Sequence, residues 1–147
     1  MDKSNIISKL PYTKPFLFVD EITEISNEKV IGSYTYKKDE YFYQGHFKDN
    51  PITPGVILTE TMAQIGLVCM GIYLLEDTFD ENVGIGLTSN QIDFFLPVFP
   101  NQKVKVVSEK IYFRFNKLKC KVMMYNQNRE LVCRGTISGM IISKRHE

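Results

Sequence analysis

Twenty consecutive residues, Val56 to Leu75, are mostly apolar and carry one formal charge, Glu60. That length is enough to cross a bilayer as a helix. The start of the stretch argues for a different environment. Glu60 and Gln64 fall in its first turns, and Thr53-Pro54-Gly55 lead into it. An ionisable side chain is costly in lipid, so a helix buried in a protein core is expected, with no membrane involved. Thr53 reads as the N-cap, Pro54 as the first helical residue, where a missing N–H costs nothing, and Gly55 as the second. The helix should end near Leu74 to Asp77. A helix apolar nearly all round must be covered on most sides, so the rest of the chain has to wrap it.

The rest of the chain is strand-like. Phe16 to Ile25 and Val30 to Tyr36 read as two strands joined by the turn residues Ser26-Asn27-Glu28. Lys37 to Pro51 is polar and irregular. After the helix, Val83, Ile85 and Leu87 alternate, and Ile92, Phe94 and Leu96 alternate in the opposite phase. That change of phase predicts a bulge near Thr88 to Asn90. Val104 and Val106, then Ile111, Phe113 and Phe115, slip in the same way. Leu118, Cys120, Val122 and Met124 alternate with Lys117, Lys119 and Lys121, which predicts a solvated lysine face. Leu131, Cys133, Ile137 and Ile141 continue the pattern, with turns at Asn116 and Asn126-Gln127-Asn128. The expected architecture is α+β: one long central helix wrapped by a curved antiparallel sheet. The 147 residues form one domain over 1–147, without repeats.

Charge and cysteine usage narrow the function. Eighteen Lys and Arg against seventeen Asp and Glu leave a net charge of +1. Such a chain has no global field to attract nucleic acid. Three cysteines without a CxxC pair suit a reducing cytosol. Met1 to Leu10 lacks the apolar run of a secretory signal, and a cytoplasmic location is expected. Two histidines, His46 and His146, exclude a histidine-rich metal site.

Three features meet in the fifteen residues from His46 to Glu60. His46 sits in a loop just after Gly45, and an imidazole exchanges protons near neutral pH, which suits a general base. Alone, it reads more readily as a surface or hydrogen-bonded structural histidine. Glu60 lies among Val56, Ile57, Leu58, Met62 and Ile65. Burial there disfavours the carboxylate and keeps a proton available for donation; the plainer reading is a narrow polar stripe with Gln64. Gly55, in the first helical turn, has a backbone N–H without an intrahelical acceptor. Such a donor stabilises negative charge on a carbonyl oxygen, although any capped helix start presents one.

These residues resemble the β-hydroxyacyl-acyl-carrier-protein dehydratases of hotdog fold. The resemblance rests on Gly45-His46-Phe47, Pro54-Gly55-Val56 and Glu60-Thr61-Met62-Ala63-Gln64, with His46 and Glu60 fourteen positions apart as in the family. Leu10-Pro11, Pro15 to Asp20, Ile92 to Phe95, Pro100 to Gln102 and Glu130 to Cys133 extend it over nearly the whole chain. The resemblance implies a dehydration. His46 would remove the α-proton of a (3R)-hydroxyacyl thioester, Glu60 would protonate the departing hydroxyl, and the Gly55 N–H would polarise the thioester carbonyl. The product would be a trans-2-enoyl thioester of fatty-acid or related polyene biosynthesis. It implies an acyl carrier protein as partner, its phosphopantetheine as the substrate arm, and no bound metal or cofactor. It also implies a homodimer with His and Glu from different subunits, and trimers of such dimers.

The chain departs from the family in three places. Lys48-Asp49-Asn50 follow Gly-His-Phe where Pro-Gly is usual, Thr53 stands where many members have Met, and Tyr12-Thr13-Lys14 replace a more basic stretch. Three rival readings remain: a hotdog thioesterase using the same helix terminus, isomerisation to a 3-enoyl product, and a silent acyl-binding module. The isomerising relatives carry Asp where Glu60 stands.

Overall fold

The apolar segment is the axis of the computed structural model, which describes residues 3–80 and 82–143; His146 lies outside them. The central helix consists of α1 (Gly55–Ala63), a π turn (Gln64–Val68) and α2 (Cys69–Leu75), with a 3-10 turn at Glu76–Thr78. Length and composition alone would let this helix cross a membrane, yet 78% of its most apolar window is buried in the fold. A one-and-a-half-turn helix, Lys3–Ser8, precedes the sheet.

Six antiparallel strands wrap the axis: β1 (Glu21–Ile25), β2 (Lys29–Thr35), β3 (Val83–Phe94), β4 (Lys103–Arg114), β5 (Lys117–Tyr125) and β6 (Leu131–Ser143). They lie in the order β1-β2-β4-β5-β6-β3. This is the hotdog arrangement expected from the sequence. Alternation decides which side chains meet the helix: Val104, Val106, Leu118, Cys120, Val122, Met124 and Ile137 are all fully buried. Lys121 is exposed, while Lys117 and Lys119 are half-buried. The register slips fall where the phases change, at Thr88 between Leu87 and Ser89 and at Ile111 between Lys110 and Tyr112. Ser26 makes the first turn by accepting the Glu28 and Lys29 amides on its Oγ. Phe115, in phase with Ile111 and Phe113 in sequence, is 92% exposed. Phe115 and Asn116 form the β4–β5 turn, with φ of 51° and 62°.

Two expectations are corrected. The first strand begins at Glu21, not Phe16. The preceding backbone is committed to the helix: Phe18 N–H donates to Gln64 Oε1 at 2.8 Å, and Gln64 Nε2 donates to the Phe16 carbonyl at 3.0 Å. Phe18 also stacks edge-on against Tyr34 and Phe42, so this segment closes one end of the core. Thr53 is not the N-cap. Pro54 holds that position in an extended conformation and makes no side-chain cap. Gly55 is therefore the first helical residue. The Thr53 amide donates to Val98 O, and its hydroxyl is bonded to Tyr43.

The π turn marks where the helix meets both the Phe16–Phe18 segment and the sheet. Cys69 N–H reaches back five residues to Gln64 O. Ser108, buried on β4, donates its hydroxyl to Gly66 O at 2.9 Å. A Cβ on Gly66 would stand 2.5 Å from Val122 Cγ1, so glycine permits the helix to approach the sheet this closely.

Candidate active site

His46 reaches the site on a loop folded tightly onto the helix start. A 3-10 turn, Tyr41–Gln44, delivers it, and the loop returns at Ile52. Phe47 and Asn50 exchange backbone hydrogen bonds across the tip, and Ile52 N–H donates to His46 O at 2.8 Å. Asp49 takes φ of 63° at the tip, a conformation open to Asp and Asn as well as glycine. Lys48-Asp49-Asn50 thus make the turn where the family usually places Pro-Gly. The His46 ring stacks on Phe47 with centroids 4.0 Å apart.

The ring's hydrogen bond fixes its tautomer. Nδ1 lies 2.9 Å from Ile52 O. A carbonyl oxygen only accepts, so Nδ1 carries the proton and Nε2 presents its lone pair. Nε2 has no hydrogen-bond partner among the described residues. The half-buried imidazole therefore leaves its Nε2 free of partners among those residues.

Gly55 lines the same open pocket of about 300 Å³, with His46, Thr53, Leu58 and the Phe94–Phe95 end of β3. As the first helical residue its N–H has no acceptor within the helix, and no other backbone group among the described residues takes it. The Phe94 ring lies over it, 3.4 Å from where a Cβ would stand. The His46 ring and the first-turn N–H thus lie at one cavity. A larger hollow, about 530 Å³, lies on the outer sheet face beside Lys29, Lys105, Tyr125 and Arg129 and holds none of the candidate residues.

Glu60 is not in the pocket. Five residues beyond Gly55, it projects about 140° further round the helix. Gln64 Nε2 donates to its Oε2 at 3.0 Å, and the same amide reaches Phe16 O. Burial raises the Glu60 pKa and the bond from Gln64 lowers it, with burial the larger effect. The carboxyl consequently holds its proton at higher pH than an ordinary glutamate. The polar pairing with Gln64 and the proton-retaining environment therefore coexist. His46 and Glu60 of one chain lie on different sides of the helix.

Sequence reasoning missed the Tyr43–Thr53 hydroxyl pair and the Phe94 lid over Gly55. The signal for the first was a buried hydroxyl residue beside a Pro-Gly helix start; the second depends on the path of β3. All three cysteines are buried, and burial pushes the Cys133 thiol up to about 12 and Cys69 higher still. Among the described residues no group of three or more His, Cys, Asp or Glu side chains is arranged to hold a metal ion.

The sequence model of the FabA-like domain matches residues 10–136. The 3-hydroxyacyl-acyl-carrier-protein dehydratase FabZ of Caldicellulosiruptor saccharolyticus is 33% identical over 137 residues, covering 92% of this chain and 95% of that one. The FabZ of Syntrophobacter fumaroxidans is 44% identical over 104 residues, covering 71% and 69%. Among solved structures, the dehydratase heterocomplex ApeI:P from Xenorhabdus doucetiae superposes with a TM-score of 0.79 at 11% identity, covering 95% and 91%. A hypothetical thioesterase with coenzyme A from Streptococcus pneumoniae gives 0.61 at 13% identity, covering 86% and 88%; these two likenesses speak for the fold alone. With a family match over most of its length and dehydratase relatives along nearly all of it, the chain belongs to the FabA-like family of β-hydroxyacyl-acyl-carrier-protein dehydratases, with the hotdog fold.

Proposed function

We propose that the protein dehydrates (3R)-hydroxyacyl thioesters carried on the phosphopantetheine of an acyl carrier protein, giving the trans-2-enoyl thioester and water. The observation that carries this reading is the shared pocket of an Nε2 lone pair on His46 and the unpaired N–H of Gly55. The Gly55 N–H hydrogen-bonds the thioester oxygen, which lowers the cost of placing charge on it. His46 Nε2 removes the α-proton. As the enolate collapses, the Cα–Cβ double bond forms and the Cβ–O bond breaks. Glu60 gives its proton to the departing hydroxyl, which leaves as water. A carboxyl whose pKa is raised by burial suits that last role. The step needs no metal or redox cofactor.

The acid has to come from a second copy, because Glu60 of the same chain faces away. β3 supports this: twelve residues at the sheet edge, with Leu87 and Phe94 about half exposed, as is Phe95 just beyond its end. A strand edge of that length, with one side of its backbone unpaired in the sheet, invites pairing. Edge-to-edge pairing of two β3 strands brings the pocket at Phe94 against the partner's helix, so the working unit is a homodimer, open to assembly as a trimer of dimers.

The test presents (3R)-hydroxyacyl chains of several lengths on a carrier protein and follows enoyl formation and free thiol separately. Enoyl product without thiol is expected. His46→Ala and Glu60→Gln should each lower the rate at least a hundredfold while leaving the circular dichroism spectrum unchanged. Thiol release would make the protein a thioesterase, and binding without turnover a silent acyl module.

A further inference from the structure

The proposed base and the proposed thioester-binding N–H sit on separate segments, and dehydration requires both to meet one substrate in fixed geometry. His46 follows the 3-10 turn Tyr41–Gln44, and Gly55 follows the irregular run Pro51–Pro54. The loop between them is open to solvent: residues 47–51 are all exposed. Its base is closed by His46 O with Ile52 N–H, His46 Nδ1 with Ile52 O, and one bond between side chains, Tyr43 OH with Thr53 Oγ1. Both residues of that last bond are buried. Tyr43 stands three residues before His46, and Thr53 two before Gly55. Thr53 is anchored further by its amide on Val98 O, just beyond the Phe94–Pro97 stretch that walls the pocket.

We propose that Tyr43 and Thr53 are paired positioning residues that hold the His46 loop at a fixed distance from the Gly55 N–H, and so set the rate of α-proton removal. This rests on the dehydratase reading above. Neither hydroxyl is assigned contact with substrate. Burial pushes the Tyr43 hydroxyl up to about 12, although the bond to Thr53 lowers it, so its proton stays in place across the working pH range. Misplacement of a reacting group by about 1 Å costs on the order of a hundredfold in rate, and a loosened loop displaces His46 by a fraction of that.

The experiment compares wild type with Tyr43→Phe, Thr53→Val, the double variant and Thr53→Ser, using a (3R)-hydroxyacyl carrier-protein substrate at a temperature where all remain folded. Each single variant should lose about tenfold in kcat with KM within about twofold. The double variant should be no slower than the slower single, since both changes remove one bond. Thr53→Ser should recover most of the rate. An unchanged kcat in Tyr43→Phe or Thr53→Val overturns the inference, as do losses that multiply in the double variant, or a rise in KM with kcat intact. A wild type that forms no enoyl product overturns the dehydratase reading and this inference together, whereas an active wild type with indifferent variants overturns this one alone.

Discussion

Replacing Gln64 with leucine tests at once the fold's most committed polar side chain and the protonation of Glu60. Gln64 is fully buried. Its amide accepts from Phe18 N–H at 2.8 Å and donates to Phe16 O and Glu60 Oε2, each at 3.0 Å. Leucine fills nearly the same volume, so the change removes hydrogen bonds without opening a large void. The Phe16 carbonyl belongs to an exposed residue and can turn to water. The Phe18 amide belongs to a fully buried one, and an unsatisfied buried donor costs about 1–3 kcal/mol. Leucine burial offsets part of this, leaving a net loss of about 1–2 kcal/mol. For a chain of this length that lowers Tm by roughly 3–6 °C, read by calorimetry at neutral pH. Losing Gln64 also removes the one influence that lowers the Glu60 pKa. The proton on Glu60 then persists to higher pH, so the alkaline limb of kcat/KM should move upward. An unchanged Tm with an unmoved limb, or a limb moving to lower pH, would refute the reasoning.

Other changes test separate parts of the structure. Because burial raises the Glu60 pKa, the folded chain binds that proton more tightly than the unfolded one. Its contribution to stability is full below the ordinary carboxylate range and falls as pH rises through the folded value. Glu60→Gln should flatten denaturation midpoints measured across that window, and an unaltered slope would place the effect elsewhere. Phe115→Asn with Asn116→Gly gives the β4–β5 hairpin the residues its positive φ angles favour, so Tm should rise by several degrees; a fall would mean that Phe115 is held by contacts of its own. Gly135→Ala puts a Cβ 1.8 Å from the Gln91 carbonyl oxygen on β3. Backbone must move to admit it, and a destabilisation of about 1–3 kcal/mol is expected in urea titration.

The layout was largely legible in the sequence because it rests on burial periodicity. The all-round apolarity of Val56 to Leu75 demanded a wrapper, and the alternation from Val83 onward supplied it, including the slips at Thr88 and Ile111. What escaped was decided by single hydrogen bonds between distant residues. Phe16 to Asp20 has the apolar content of a strand, but Gln64, more than forty positions away, takes its backbone. Thr53 has the side chain of an N-cap, but Tyr43 and Val98 engage its hydroxyl and its amide. The roles proposed for His46 and Gly55 come from their residue types. That they share a pocket from which Glu60 is turned away follows from helical phase, which a motif does not display.

The π turn at Gln64–Val68 has a consequence for how this chain tolerates insertions and deletions. One surplus residue sits in the middle of the helix, so the two halves are rotated relative to each other by about 100° compared with an unbroken α-helix. The upstream half aims Glu60; the downstream half is phased to the sheet through Met70 and Ile72, both fully buried. Deleting one residue inside the π turn would restore regular hydrogen bonding and lengthen no loop. The lost residue and the lost offset cancel, so Glu60 would keep its present bearing while the downstream half stayed seated. The helix acts here as a coupling with an adjustable offset: a residue taken out as the π turn becomes regular leaves the two ends aligned, whereas one taken out while the π turn persists would turn them out of phase.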